Sequence, residues 1–366
     1  MPRRRSDLVI PRGDSPEESD YTLRIPNSEY LLVQEINELR VDSVACTSLG
    51  RGQLAAHLAE LDPSAKVTCF FLDQYLSDDS IDYHAGSHRK LQIVCGTDLH
   101  ERKVEFAAHP ISMGGEAELN RELLQQMHMR LVRGGTLMTA VDNPNDVWLC
   151  HELEKIFRSI EKIPSRRGVV YRCLKEDEIK RPRNFHCEFA FRDHGNLIKA
   201  VSRPGVFSHR HLDLGSRALL ETMVVNPGEK VLDIGCGSGV VALAAVQRAA
   251  GVSALSVDSN ARAVQCVLEG AKLNNTPSVT GLIDASGRIP EPGTFDLAVG
   301  NPPYYSHYKI AEIFMQSAKK ALKSGGRVMM VTKKSDWFVA RMGQLFQNIQ
   351  VQDARTYKVV SAVQPG

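Results

Sequence analysis

The sequence predicts an α/β protein built from two tandem Rossmann-like domains. Three observations lead there. Strand and helix alternate from about residue 215 onward, a glycine-rich turn follows the first strand of that series, and the same landmarks recur in the first half of the chain. Alternation of this kind implies a parallel sheet with helices on both faces. A chain of 366 residues suits two domains at roughly 150 residues each.

The second half reads as follows. VNPGEKVLDIG is a turn leading into a buried strand, and GVVALAAVQRAA is helical. VSALSVD is the second strand, followed by NARAVQCVLEGAKLNN with apolar residues at helical spacing. SVTGLI is a third apolar run and TFDLAVG the next strand. YKIAEIFMQSAKKALKSGG reads as a long amphipathic helix closed by a glycine pair, and RVMMVTK as a strand. NIQVQDARTYKVVSAVQ reads as two strands around a short turn, an antiparallel hairpin that closes the sheet.

The first half can be laid over the second. Gly50 to Asp73 spans 23 residues, as does Gly235 to Asp258; His109 to Gly134 spans 25 and Asn301 to Gly325 spans 24. Two shared spacings in the same order point to an internal duplication. Laid out this way, Ser48 stands opposite Asp233, Gly239 has no glycine counterpart, and Asn301-Pro302-Pro303-Tyr304 faces His109-Pro110-Ile111-Ser112. The first copy keeps the scaffold and loses the polar residues. The expected organisation is a short arm over 1–20, a degenerate domain over 21–190 and a complete one over 191–366.

Composition bounds the remaining classes. Net charge is +2, so a nucleic-acid partner has to be argued from local clustering. Between Lys155 and Arg183 there are ten Lys/Arg against four Asp/Glu, a local +6 that includes Arg166, Arg167, Arg181 and Arg183. That stretch, within a segment of about 155–200 joining the copies, is either a solvated linker or part of a surface that follows phosphates. It also contains GVVYRCL, which looks like a strand of the first domain. No apolar run approaches the roughly 18 residues of a membrane span, and the basic N-terminus lacks the apolar core of a secretory signal. The eight cysteines form no CxxC pair, and His209 and His211 have no third ligand near in sequence, so no metal site is expected. Dispersed thiols suit a reducing cytoplasm. A monomer is expected.

The sharpest motif is Val231-Leu-Asp233-Ile-Gly235-Cys-Gly237-Ser-Gly239. An apolar strand ends at an acid, and three glycines then lead into a helix whose N-terminus offers free N–H groups. A carboxylate in that place suits an ammonium group, such as the methionine amine of S-adenosylmethionine. Asp258 ends the second strand, where a carboxylate can take both ribose hydroxyls. Ser259 or Asn260 can cap the next helix, leaving Asp258 for the ligand. Asp284, after the third apolar run, is either an acceptor for the adenine amine or a surface-turn aspartate.

After TFDLAVG comes Asn301-Pro302-Pro303-Tyr304. The prolines hold the backbone and remove two donors. The turn can then present a bare carbonyl, that of Pro302, beside the Asn301 amide oxygen. A conjugated amine or a carboxamide is a poor nucleophile because its lone pair is delocalised. Two acceptors on its N–H bonds favour a pyramidal nitrogen that can attack a methyl donor in line. Tyr304 offers a face for stacking a flat substrate.

VLDIGCGSG, the acidic strand end and NPPY together resemble the seven-stranded amino-methylating enzymes. Arg203-Pro-Gly205-Val-Phe207-Ser208, then Leu212-Asp-Leu-Gly215-Ser, resembles a segment of the bacterial ribosomal-RNA guanine-N2 methyltransferases. The closing Arg355-Thr-Tyr-Lys358-Val is similar to their last strand. The resemblance is one of sequence from about 200 to 362 and of architecture only from about 20 to 190. It implies two methyltransferase-like domains with only the second active, S-adenosylmethionine as cofactor, and ribosomal RNA or a ribosomal subunit as partner. It also implies that the Phe207 region covers the cofactor or the substrate. That family usually has Phe-His after NPP, where this chain has Tyr304-Tyr305. A tyrosine there is common in adenine-N6 and protein-glutamine methyltransferases, so both stay open as alternatives. A non-catalytic RNA-binding assembly protein is the third.

Overall fold

A computed structural model describes residues 25–86, 90–303 and 308–366. The expected arm over 1–20 and Tyr304 lie outside these. The chain divides into two compact units, with the break in sequence between Phe185 and His186. Both are α/β, and each is built on a seven-stranded sheet.

In the first unit the elements are α1 Asn27–Glu35, β1 Ser43–Thr47, α2 Gln53–Leu61, β2 Lys66–Phe71, α3 Gln74–Tyr83, β3 Leu91–Cys95, β4 Val104–Ile111, α4 Ala117–Arg130, β5 Leu131–Val141, α5 Trp148–Glu154, β6 Ser159–Pro164 and β7 Val169–Leu174. The strand order is β3-β2-β1-β4-β5-β7-β6, parallel up to β5 and antiparallel beyond it. Apolar residues fill both faces, with Leu32, Leu54 and Leu58 on one and Leu124, Met127 and Leu149 on the other.

The second unit begins with a hairpin, β8 Cys187–Asp193 and β9 Asn196–Ser202, followed by α6 Leu214–Thr222. Then come β10 Lys230–Ile234, α7 Val240–Arg248, β11 Ser253–Asp258, α8 Ala261–Leu273, β12 Val279–Ile283, β13 Phe295–Gly300, α9 Lys309–Ala321, β14 Leu322–Thr332, α10 Asp336–Leu345, β15 Gln347–Ala354 and β16 Tyr357–Val363. The order β12-β11-β10-β13-β14-β16-β15 repeats that of the first unit, and β15–β16 is the expected antiparallel hairpin. Strands buried on both faces read as continuous apolar runs, which is why β10 and β13 were legible.

Three expectations change. Residues 155–200 are not a linker: β6 and β7 complete the first sheet, and β8–β9 belongs to the second unit. The long helix stops at Ala321, and Leu322 pairs with Phe295 before a bulge carries the strand through Ser324-Gly325-Gly326 to Arg327. The glycine pair therefore serves a bulge rather than a helix end.

The third change concerns the duplication. Val44 pairs with Val67 and Phe106 as Val231 pairs with Ala254 and Leu297. Gly52 and Gly239 both sit at φ +74 immediately before the first crossover helix. The sequence overlay is thus out by two residues around the first strand. Cys46, not Ser48, occupies the place of Asp233, and Gly239 does have a counterpart. Asp73 matches Asn260, and both cap the next helix through their side chains. By the same registers Phe71 stands where Asp258 does, and Pro110, not His109, where Asn301 does. His109 is a core residue: Thr47 Oγ1 lies 2.6 Å from Nδ1 and Asn120 Oδ1 lies 3.2 Å from Nε2. Burial pushes its imidazole down to about 4. The first unit loses the polar set more completely than the overlay suggested.

Candidate active site

Strands β10, β11, β12 and β13 are mutually parallel, so their carboxyl ends lie along one edge of the sheet. In open α/β sheets that edge is where ligands bind. Asp233, Asp258, Asp284 and Asn301 are carried to it by four different strands.

Asp233, next to last in β10, is buried and accepts from the Ala242 N–H at 3.3 Å. Burial pushes its carboxyl up to about 7; the Ala242 N–H opposes the rise and the Asp258 carboxylate adds to it. The glycine loop follows, with Gly235, Gly237 and Gly239 at φ +68, +53 and +74. At Gly239 a Cβ would lie 2.6 Å from Val267 Cγ2, so this glycine lets α7 and α8 pack. Gly235 would collide with the ring of Phe314. Gly237 differs: a Cβ there would meet only Phe207 Cβ and O at 3.8 Å, and its N–H is donated to Asp258.

Phe207 is 64% exposed and lies against that loop. Its segment is pinned from α8. The wholly buried Arg262 donates from Nη1 to the Pro204 carbonyl at 2.8 Å, and Asn260 Nδ2 donates to the Gly205 carbonyl at 2.7 Å. Ser208 and Arg210 just beyond have left-handed backbones at φ 57 and 78, a cost that surrounding contacts must offset.

Asp258 is not left empty by the cap. Asn260 caps α8, as one option required, but Asp258 Oδ2 accepts from the Gly237 N–H at 2.9 Å and Oδ1 from the Asn260 N–H at 2.9 Å. These two backbone donors hold the carboxylate at the strand end, against the glycine loop. Asp284 holds its own turn, with Ser286 Oγ donating at 2.8 Å and the Arg288 N–H at 3.0 Å. Its backbone N–H donates to the Asp258 carbonyl at 3.1 Å, which keeps the two strand ends together.

Asn301 follows β13 directly. Its Nδ2 donates to Asp213 Oδ2 at 2.8 Å, and that same oxygen caps α6 by accepting from Gly215 and Ser216 N–H at 2.8 and 3.1 Å. The carboxylate only accepts, so it determines which end of the amide faces it. Oδ1 is thereby turned away and accepts no hydrogen bond among the described residues. A Cβ on Gly215 would sit 2.9 Å from both amide atoms, so only glycine admits this approach. Pro302 is buried and Pro303 half-buried, so the turn after Asn301 is set into the fold. Beyond Tyr304–His307, Tyr308 is anchored by stacking on Trp337 at 4.3 Å. Asp213, Gly215 and Arg262 were not assigned roles from sequence, and Asn260 only that of a helix cap. The Asp213-to-Asn301 bond spans 88 residues, and only the LDLGS string hinted at it.

The matching loop of the first unit is closed by its own chain. Buried Glu29 accepts from Ser48 Oγ at 2.9 Å and from the Leu49 and Leu54 N–H groups at 3.0 Å. Its α1 therefore occupies the loop N–H groups that a ligand would use.

Comparison with known proteins agrees with this geometry. Residues 198–361 match the family model described as the methyltransferase small domain. Among curated relatives, the ribosomal RNA small subunit methyltransferase C of Pseudoalteromonas translucida is 31% identical over 171 residues, 46% of this chain and 50% of that protein. The protein of the same name from Escherichia coli O1:K1 is 28% identical over 205 residues, 54% and 58% of the two chains. The chain thus spans about half the length of these relatives. A solved structure, the T. thermophilus 16S rRNA N2 G1207 methyltransferase in complex with AdoMet and guanosine, aligns over 93% of this chain and 92% of that one. Its TM-score is 0.76 at 19% identity, a likeness of fold. The matched span includes Asp233, Asp258, Asp284 and Asn301. Among the described residues no three His, Cys, Asp or Glu side chains cluster to hold a metal, and no helix is long and apolar enough to cross a membrane.

Proposed function

We propose that the chain is an S-adenosylmethionine-dependent methyltransferase that acts on the exocyclic N2 amine of a guanine in ribosomal RNA. The observation that carries this reading is the Asn301 amide, turned by Asp213 so that its oxygen is free at the strand edge beside Asp233 and Asp258. The names of the relatives and of the solved structure support the choice of substrate.

The residues fit the cofactor. Asp233, held at about 7 by burial and by its acidic neighbour, gains from a cation placed against it. Asp258 at the end of β11 takes the ribose hydroxyls, and Gly237 lies under Phe207. Asp284 stands at the next strand end. The cofactor supplies an electrophilic methyl group. Asn301 Oδ1 and the Pro302 carbonyl accept the two N–H bonds of the target amine, which localises its lone pair, and the proton leaves after transfer. Pro303 stiffens this turn, and Tyr304 stacks on the base. A base paired in a duplex must swing out, so loosely structured RNA is preferred. The first unit, its loop plugged by Glu29, contributes RNA affinity instead of chemistry. The protein works as a cytoplasmic monomer on ribosomal RNA or a ribosomal subunit.

The test supplies labelled S-adenosylmethionine with ribosomal RNA, ribosomal subunits and a release-factor-like protein in parallel. Label in N2-methylguanosine is the expected result. Label in protein glutamine or N6-methyladenosine alone would replace the reading.

A further inference from the structure

A second feature that bears on the RNA lies in the first unit, away from the glycine loop. A hollow of about 380 Å³ opens between α4, the end of α5 and residues 179–185. Its floor is apolar, with Leu124 and Phe185 buried and Ile156 half-buried. Its walls carry Arg121, Lys155, Arg181 and Arg183. Two of these guanidinium groups are ordered in advance. Arg183 lies 4.9 Å above the Phe185 ring and donates to Glu118 at 2.8 Å. Arg121 lies 5.5 Å above Trp148 and donates to Glu152 at 3.0 Å. Gln125 clamps the backbone of Arg183 in both directions, at 2.9 and 2.7 Å. Lys155 shares Glu152, while Arg181 is exposed and has no acidic partner among the described residues.

Four cations here face two carboxylates, so the hollow suits an anion. A guanidinium held over an aromatic ring is a planar platform on which a nucleobase can stack. We propose that this hollow holds one unstacked nucleotide of the RNA strand, the base against the Arg183 plane and its phosphate at Arg181 and Lys155. The volume lies within the usual range for small-ligand sites. The choice of RNA over another anion rests on the function proposed above. Of the seven other cations of the basic stretch, three are paired with acids: Arg158 with Asp177, Arg172 with Glu35 and Glu161, and Lys175 with Glu178.

The experiment uses the full chain and a fluorescein-labelled single-stranded ribosomal RNA fragment, with anisotropy recorded at several salt concentrations. Arg181→Ala breaks no hydrogen bond or ion pair among the described residues. It should weaken binding roughly tenfold and reduce the slope of log Kd against log salt by about 0.7, the value for one phosphate on a single strand. Arg183→Lys keeps the charge and loses the plane, so affinity should fall roughly fivefold with the slope unchanged. S-adenosylmethionine affinity by calorimetry should stay constant in both. RNA affinity and slope unchanged in both variants would overturn the proposal, even where the wild type methylates guanine. Displacement of the RNA by polyglutamate but not by a homopolymer RNA would also overturn it, assigning the hollow to acidic peptide. If the wild type modifies only protein glutamine, the proposed function fails. The losses in RNA affinity would still support the hollow on their own.

Discussion

Asp233→Asn separates what this residue costs the fold from what it does for the ligand. The Asp233 carboxyl stands at about 7 in the folded chain against 3.8 as its ordinary value, chiefly because it is buried. The folded state therefore holds a proton that the unfolded chain has released, and stability falls as pH rises between those two values. At ~1.36 kcal/mol per pH unit the full gap amounts to about 4 kcal/mol. About 2 kcal/mol of it falls between pH 5.5 and 8.5, a window most proteins survive. Asparagine keeps the size and the acceptor for the Ala242 N–H but cannot ionise. The ligand-free variant should gain on the wild type by about 2 kcal/mol from pH 5.5 to 8.5, read by urea denaturation at each pH. Cofactor affinity should move the other way. In the wild type it should rise up to tenfold per pH unit as Asp233 ionises toward pH 7, and in the variant it should be weak and flat. Parallel stability curves for the two proteins would refute the argument, because they would mean that Asp233 is not protonated in the folded state.

Asn301→Ala removes one of two preorganised acceptors and should lower kcat on the order of a hundredfold, with cofactor affinity by calorimetry unchanged. Asp213→Ala releases the Asn301 amide and uncaps α6. Turnover should fall at least tenfold at constant KM, and stability by about 1 kcal/mol in denaturant. Asp258→Ala should cost roughly 1.5–3 kcal/mol of S-adenosylmethionine binding, about ten- to a hundredfold. The same titrations should return one cofactor site per chain, since Glu29 and Phe71 close the first unit.

Much of the second unit was legible because its signals are local. Strands buried on both faces must be apolar throughout, and a tight strand-to-helix turn with three left-handed residues must be glycine-rich. Asp233, Asp258 and Asn301 were legible for a related reason: strand ends of a parallel sheet share one edge, so their positions along the chain indicate their place in the fold. The overlay of the two halves was less secure. A repeat of spacing fixes a period but leaves the phase open by a residue or two. Only the hydrogen-bonded registers put Cys46 opposite Asp233 and Pro110 opposite Asn301.

By itself, the sequence determined the two α/β domains, the glycine loop and the acids and NPP turn at the sheet edge, because backbone sterics and strand periodicity act over a few residues. Tertiary structure decided which side chains meet. It turned the Asn301 amide through Asp213, seated Phe207 over Gly237 through Arg262 and Asn260, and shut the first unit's loop with Glu29. It also paired five of the ten cations of the basic stretch with acids. Those partners are supplied by segments far apart in the chain. Hydrogen bonds and ion pairs form between groups that folding brings within about 3 Å, a distance that linear order does not encode.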